Sequence, residues 1–452
     1  MGSNSSDKDL PEFGPGLLQH FLIEPGYRNL NNGSFGTIPR AIQEELRRYQ
    51  DQAEAKPDSF IRYELPTKID EARKAVAELL NAPTDTVVFE PNATTAVNTI
   101  LRNLTWDDDC RDEILYFNSV YGACGKTIDY IVDSNAGRVA SREIPIAYPC
   151  EDDEIVSAFQ AAIQQSKSKS KRPKICLFDT VSSLPGVRFP FEKLTEACKE
   201  AGVLSLVDGA QGIGMIDIDL TSLDPDFFLT NCHKWLHVPR GCAILYVPFR
   251  NQVLITSTVP TSHGYVSKTN KRFNPLPLSK KSGFVTNFEF TGTTDRAPYI
   301  CVPAALKWRR DFLGGEKRVM QYTQTLAKEG GKKVARILGT EVLDNPSGTM
   351  SNCSMTNVAL PLRFVNADDM LETGGSSSEL KFPAGDAQQA REWMAKTLID
   401  DYRTFLPIFE YRNRFWTRIS AQVYLDIRDF EWIGQTLLEL SRRAAAREYK
   451  NS

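Results

Sequence analysis

The stretch LSLVDGAQ (204–211), followed closely by DFFLTNCHKWL (226–236), decides how this sequence is read. In the first, Leu204, Leu206 and Val207 make a short apolar run that stops at Asp208 and Gly209. In the second, Phe227, Phe228 and Leu229 stop at Thr230 and Asn231, and His233, Lys234 and Trp235 follow. Short apolar runs ending in reactive polar residues predict strands buried on both faces of a sheet. Open α/β sheets bind ligands just beyond the carboxyl ends of such strands.

Working outward, the alternation continues. VVFE (87–90), EILYF (113–117), KICLFDTVSS (174–183) and GCAILYVP (241–248) read as strands. PTKIDEARKAVAELL (66–80), YGACGKTIDYIVD (121–133) and FEKLTEACKEAGV (191–203) read as helices. The pattern predicts an α/β domain over about 61–310, its mostly parallel sheet covered by helices. A passage without regular pattern, 257–290, interrupts it, and so long an irregular stretch is usually functional. After a helix over 316–338, VALPLRF (358–364), FLPIFEYRNRFWTRISAQVYL (405–425) and a last helix predict a smaller α+β domain over 311–452. Residues 17–60 are expected to pack on it, with 1–16 as a disordered lead-in.

Composition narrows the function classes. The chain has 452 residues, 41% hydrophobic and 25% charged, a globular balance. Fifty-four Lys plus Arg against 57 Asp plus Glu give a net charge of −3, so no general field for nucleic acid is present. The basic residues around 165–174 carry no interleaved aromatics and read as a solvated loop. No apolar run reaches the roughly 20 residues of a membrane helix, and the N-terminus lacks the apolar core of a secretory signal. Nine cysteines without a CxxC pair point to a reducing, cytoplasmic setting. His233 and His237 stand at i and i+4 without the Glu of an HExxH motif, so no metal is expected. GAQGIG lacks the dinucleotide-binding spacing, and no GxSxG elbow occurs.

The chemistry therefore rests on Asp208 and Lys234. A buried carboxylate needs a cationic or hydrogen-bonding partner. A lysine in a semi-buried pocket can lose its proton and attack a carbonyl carbon. An acid that keeps a pyridine nitrogen protonated, with such an amine, is what pyridoxal 5′-phosphate (PLP) chemistry requires. Asn92, Ala93, Thr94 and Thr95 lie between a strand and a helix, where amides and hydroxyls can take a phosphate or simply cap the helix.

The ordered set NNGSFG (31–36), NATTAV (92–97), LVDGAQ (206–211), TNCHKWL (230–236), NFEFTGTTD (287–295) and RISAQVY (418–424) resembles the class V, fold-type I aminotransferase-like enzymes. The resemblance covers about residues 27–440. Within that family, NLNNGSFGTIP, VYGACGKTIDY, VSSLPGVRFPFE and TSHGYV are similar to the C–S lyases that cleave hercynylcysteine sulfoxide in ergothioneine biosynthesis.

The resemblance implies a seven-stranded sheet, PLP as cofactor and a homodimer with a small amino-acid-like substrate. It makes Lys234 the residue that carries the cofactor and removes the substrate Cα proton. Asp208 would pair with the pyridine nitrogen and Gln211 with the phenolic oxygen. Thr94, Thr95, Asn231 and His233 would lie at the phosphate. Thr293 or Thr294 would reach the phosphate of the neighbouring subunit. Arg418 would clamp the substrate carboxylate, a fork geometry lysine cannot copy, with Asn32 also at the substrate. Two positions depart from the desulfurase pattern: Asn231 stands where Ser is common, and Tyr121 where His stacks on the cofactor. A tyrosine can also donate a proton, and the lyase resemblance gives it that role toward a departing sulfenate. The expected reaction is Cβ–S cleavage of an L-cysteine sulfoxide conjugate. The alternatives are a cysteine desulfurase, for which Cys353 is the C-terminal candidate nucleophile but reads as structural, and an epimerase or transaminase.

Overall fold

The computed structural model describes residues 10–366 and 380–450. They form two compact units. Among the described residues, one unit contains those up to Phe35, Leu184–Arg188 and those from Phe312 on; the other contains Gly36–Ser183 and Phe189–Asp311.

The second unit carries a seven-stranded sheet: β1 (Val87–Glu90), β2 (Asp112–Phe117), β3 (Val139–Ile144), β4 (Arg172–Asp179), β5 (Leu204–Asp208), β6 (Phe227–Asn231) and β7 (Ala243–Tyr246). The spatial order is β1-β7-β6-β5-β4-β2-β3. β3, β2, β4, β5 and β6 are parallel, and only β7 runs against its neighbours β6 and β1. The central strands are buried along both faces, so they read as apolar runs. Val88, Ile114, Leu177, Leu206, Leu229 and Leu245 meet Val97, Ile100 and Ile128 of two covering helices in one cluster. Burying each such side chain contributes about 1.5–3 kcal/mol. The consequence for function is positional: β4, β5 and β6 all deliver their last residues to one edge.

The first unit holds a four-stranded sheet in the order β10-β11-β8-β9, made of β8 (Met355–Val365), β9 (Leu380–Pro383), β10 (Ile408–Tyr411) and β11 (Arg414–Ser420). Its helices are Glu316–Leu338, Ala387–Asp400 and Ile427–Ala445. Gly330 and Gly331 let the long helix press on Phe430 and Thr356, since a Cβ at either would lie 2.2 Å from them.

Several expectations change. β3 has only its two ends buried; it is one of the two edge strands, and its polar middle hid it. The loop expected around 165–174 is mostly regular: the helix Asp152–Ser168 and β4 leave three residues between them. Arg172 and Lys174 are held by the acidic turn through Asp107 and Asp112. The irregular passage 257–290 ends in a helix, Gly283–Glu289, capped by Ser282. Segment 17–60 divides, because the helix Arg40–Ala55 belongs to the sheet unit and packs on the helices Ala297–Ile300 and Val302–Asp311. Of the lead-in expected to be disordered, residues 1–9 lie outside the described residues. Residues 10–16 are fixed: Gly14 donates to the Val423 carbonyl at 2.8 Å, and Arg318 donates to the Pro11 carbonyl at 2.9 Å. No helix among the described residues is long and apolar enough to cross a membrane.

Buried Glu90, at the end of β1, is pushed up to about 8 by burial, while Thr99, which donates to it at 2.8 Å, and Arg296 favour its ionised form. A carboxyl raised in the fold supplies stability that is complete below its unfolded value and lost as the pH climbs through the folded one. Melting temperature should therefore fall between about pH 4.5 and 8, and Glu90→Gln, which keeps the Thr99 bond, should flatten that fall. Equal slopes would remove Glu90 from the account.

Candidate active site

The parallel register sets Asp179, the last residue of β4, opposite Asp208, the last of β5. Both are buried. Asp208 Oδ1 accepts the Ala210 N–H at 2.8 Å, and Oδ2 lies 3.7 Å from Cys124 Sγ. Burial raises the Asp208 pKa, against the pull of the Ala210 N–H and the Lys234 charge. Asp179 is raised well above the carboxylate range, first by burial and then by Asp208, with Lys234 opposing. Burial thus disfavours the charged form of both carboxyls.

Lys234 follows β6 in the short helical turn Cys232–Trp235. The backbone there is crowded. Gly36 rests against it at a φ of 63°, and a Cβ on Gly36 would lie 1.8 Å from the His233 carbonyl oxygen. Arg240 donates to the Gly36 carbonyl at 3.0 Å. Fully buried Arg309 donates to the Trp235 carbonyl at 2.9 Å and the Gly214 carbonyl at 3.3 Å, and lies 3.0 Å from His237 Nδ1.

The neighbours of Lys234 have defined donor roles. His233 Nδ1 lies 3.1 Å from the Cys242 carbonyl, which can only accept, so the ring donates there. Burial pushes His233 down to about 4, so the ring is neutral and its Nε2 is an acceptor. An approaching phosphate would favour its protonation. Gln211 accepts the Trp235 indole N–H at 2.7 Å through Oε1, which turns its amide N–H groups to donor duty. Asn231 uses Oδ1 to accept the Ala93 N–H at 3.0 Å, tying the lysine strand to the start of the helix Ala93–Asn103. That helix is capped by Asn92, which accepts both the N–H and the hydroxyl of Thr95, at 2.9 and 3.1 Å. The structure thus brings together Asp208, Gln211, Asn231, His233, Lys234 and the Thr94–Thr95 helix start.

Tyr121 is 49% exposed and opens the helix Gly122–Ser134. Its carbonyl accepts the Cys124 N–H at 2.8 Å, and Cys124 is the residue that touches Asp208. Thr293 and Thr294 are exposed on the turn after Gly283–Glu289, and no hydrogen bond joins them to the helix Ala93–Asn103.

Arg418 belongs to the other unit, on β11, where it is buried. Its Nη2 donates to Asn31 Oδ1 at 2.7 Å and to Ser34 Oγ at 3.0 Å. Burial lowers its pKa to about 10, so it stays cationic at neutral pH. Asn32 is buried in the same turn.

Sequence reasoning missed Asp179, although KICLFD ends as LSLVD does, and that parallel was the available signal. Arg309 gave none, since KWRRD reads as an exposed helix end. The donor set fits PLP: an amine, a buried acid for a pyridine nitrogen, an amide donor and a helix start for a phosphate.

Residues 34–373 match the family model described as aminotransferase class-V. An L-cysteine desulfhydrase-like protein, lolT1, of Epichloe uncinata is 36% identical over 98% of this chain and 99% of its own length. The hercynylcysteine sulfoxide lyase of Schizosaccharomyces pombe is 31% identical over 94% and 97%. Among solved structures, a complex of the cystine C–S lyase C-DES with its product cysteine persulfide superposes with a TM-score of 0.71 at 18% identity, covering 94% of this chain and 99% of that one. That likeness concerns the fold alone. The chain is a member of the class V aminotransferase family, a PLP-dependent enzyme of fold type I.

Proposed function

We propose that this enzyme is a C–S lyase that breaks the Cβ–S bond of an L-cysteine derivative by β-elimination, and that its substrate is an S-oxidised conjugate of the hercynylcysteine sulfoxide kind. The observation that carries elimination is the placement of the thiols. A desulfurase needs a reachable cysteine to accept sulfur. Seven of the nine cysteines are buried. Cys353 is among them, raised to about 11 by burial. Exposed Cys110 precedes β2, at the opposite edge of the sheet from Asp208, and Cys150 is half-buried beyond edge strand β3.

When bound, PLP supplies an electron sink at the substrate Cα. Asp208 would keep its pyridine nitrogen protonated, and Gln211 would donate to its phenolic oxygen. Lys234 would hold it and accept the Cα proton, and Arg418 would bind the substrate carboxylate. Tyr121 would deliver a proton to the leaving sulfenate oxygen. With one water consumed, the sulfoxide yields a sulfenic acid, pyruvate and ammonium. The proposal includes a homodimer, in which exposed Thr293 or Thr294 completes the neighbour's phosphate site, and a reducing cytoplasmic setting suited to nine free cysteines.

A second reading, sulfur release from free L-cysteine, is favoured by the higher identity to the desulfhydrase-like protein. One panel separates them: pyruvate and sulfide release from hercynylcysteine sulfoxide, simple cysteine S-oxides and L-cysteine. Preference for L-cysteine, with sulfide and pyruvate released together, would establish the second reading; persulfide on Cys150 or Cys353 without pyruvate would mark a desulfurase instead. Tyr121→Phe should slow sulfoxide turnover about 10²-fold while the visible band of the bound cofactor persists. Unchanged turnover would strip Tyr121 of its role.

A further inference from the structure

We infer that Asn31 and Ser34 are positioning residues for substrate recognition, holding the Arg418 guanidinium in the plane in which it takes a carboxylate. The inference rests on the reading of Arg418 as the carboxylate clamp.

The contacts support one another. Arg418 Nη2 donates to Asn31 Oδ1 at 2.7 Å and to Ser34 Oγ at 3.0 Å, and the Ser34 hydroxyl spends its own proton on Asn31 Oδ1 at 2.9 Å. That proton assignment leaves Ser34 Oγ a pure acceptor toward the guanidinium. The turn bearing both residues is anchored on β11 itself: Gly33 donates to Ser420 Oγ at 3.2 Å, and Ser420 returns its N–H to the Leu30 carbonyl at 2.7 Å. Asn29 accepts the Asn31 N–H and donates to the Tyr424 hydroxyl at 2.8 Å.

The stem of Arg418 is held as firmly as its head. It lies over Gly186, where a Cβ would come within 2.8 Å of Arg418 Cδ. Gly186 is held by the Asn357 side chain, which accepts its N–H at 2.8 Å and donates to its carbonyl at 2.9 Å. Asn357 is also the register partner of Arg418 across β8 and β11. A flexible arginine loses affinity when it must be ordered at the moment of binding; here the ordering is built in. Asn31 and Ser34 are neutral, so they orient the cation without cancelling its charge. An Asp at position 31 would supply a resident carboxylate where the substrate's is wanted.

The test uses the holoenzyme and whichever cysteine derivative turns over. Asn31→Asp should raise KM about 100-fold and Ser34→Ala about 10-fold, with kcat at saturation within about threefold of wild type. Ser34→Thr, which keeps the hydroxyl, should restore KM. Inhibition by cysteamine, an amine and thiol with no carboxylate, should be unaltered in all three. Equal weakening of cysteamine and the carboxylate ligand would make the role merely structural and overturn the inference, as would an unchanged KM in Asn31→Asp. Arg418→Ala distinguishes the two levels. A raised KM there with normal Asn31 and Ser34 variants overturns this inference alone, and a normal KM there overturns the clamp reading beneath it. If Asn31→Asp fails to fold, Ser34→Ala and Ser34→Thr decide the matter.

Discussion

Lys234→Ala should reduce turnover by at least about 10³-fold, from the loss of a positioned general base alone. The variant tests the site at two levels. Borohydride should fix the cofactor to a single wild-type peptide containing Lys234, and the variant should release its cofactor on denaturation. The substitution also removes the one cation that opposes the raised pKa values of Asp179 and Asp208. Both carboxyls should then rise further. A group raised above its unfolded value loses its stabilising contribution as pH increases, so the variant's melting temperature should decline more steeply than wild type above about pH 3.8, the ordinary Asp value. Retained turnover would dismiss Lys234 as the carrier. Wild-type pH dependence would show that the lysine does not sense the two carboxyls.

Gly36→Ala should be nearly as damaging, though Gly36 has no side chain to react. Its φ of 63° is left-handed, and its added carbon would meet the His233 carbonyl oxygen at 1.8 Å and the Lys234 carbonyl oxygen at 2.9 Å. The backbone term is about 1–2 kcal/mol and overpacking adds about 1–3, for a total on the order of 2–5 kcal/mol. Relief comes most directly by displacing the lysine turn, so cofactor retention should fall with stability. Gly202→Ala is the control. It has a φ of 69° but open space around the new carbon, so it should lose only the backbone term and keep its cofactor. Similar losses in the two variants would assign the effect to backbone conformation and leave the lysine turn out of it.

These two positions also mark what the sequence made legible. The strand ends at Asp208 and Asn231 could be read because central strands of a covered sheet are continuous apolar runs, and a polar residue stands out at their end. Lys234 stood out for the same reason. β3 could not be read, since its middle residues are only partly buried and resemble a loop. Gly36 looked like a turn glycine; only the fold reveals that its neighbour is a carbonyl nearly 200 positions away. Asn31 and Ser34 were hidden similarly. Their partner Arg418 comes from the far end of the chain, and no local pattern encodes such a pairing.

The lysine turn connects β6 to β7, neighbours in both sequence and space, and the only antiparallel pair in the sheet joined by one short connection. The carboxyls are different: Asp179 and Asp208 reach each other only after the helix Phe191–Ala201 has crossed over between parallel strands. Loop closure is faster and entropically cheaper for local pairings. The order of assembly follows from this. During folding the lysine-bearing hairpin can close early and the two carboxyls meet late, so a partly folded chain would present Lys234 before its acidic neighbours are in place.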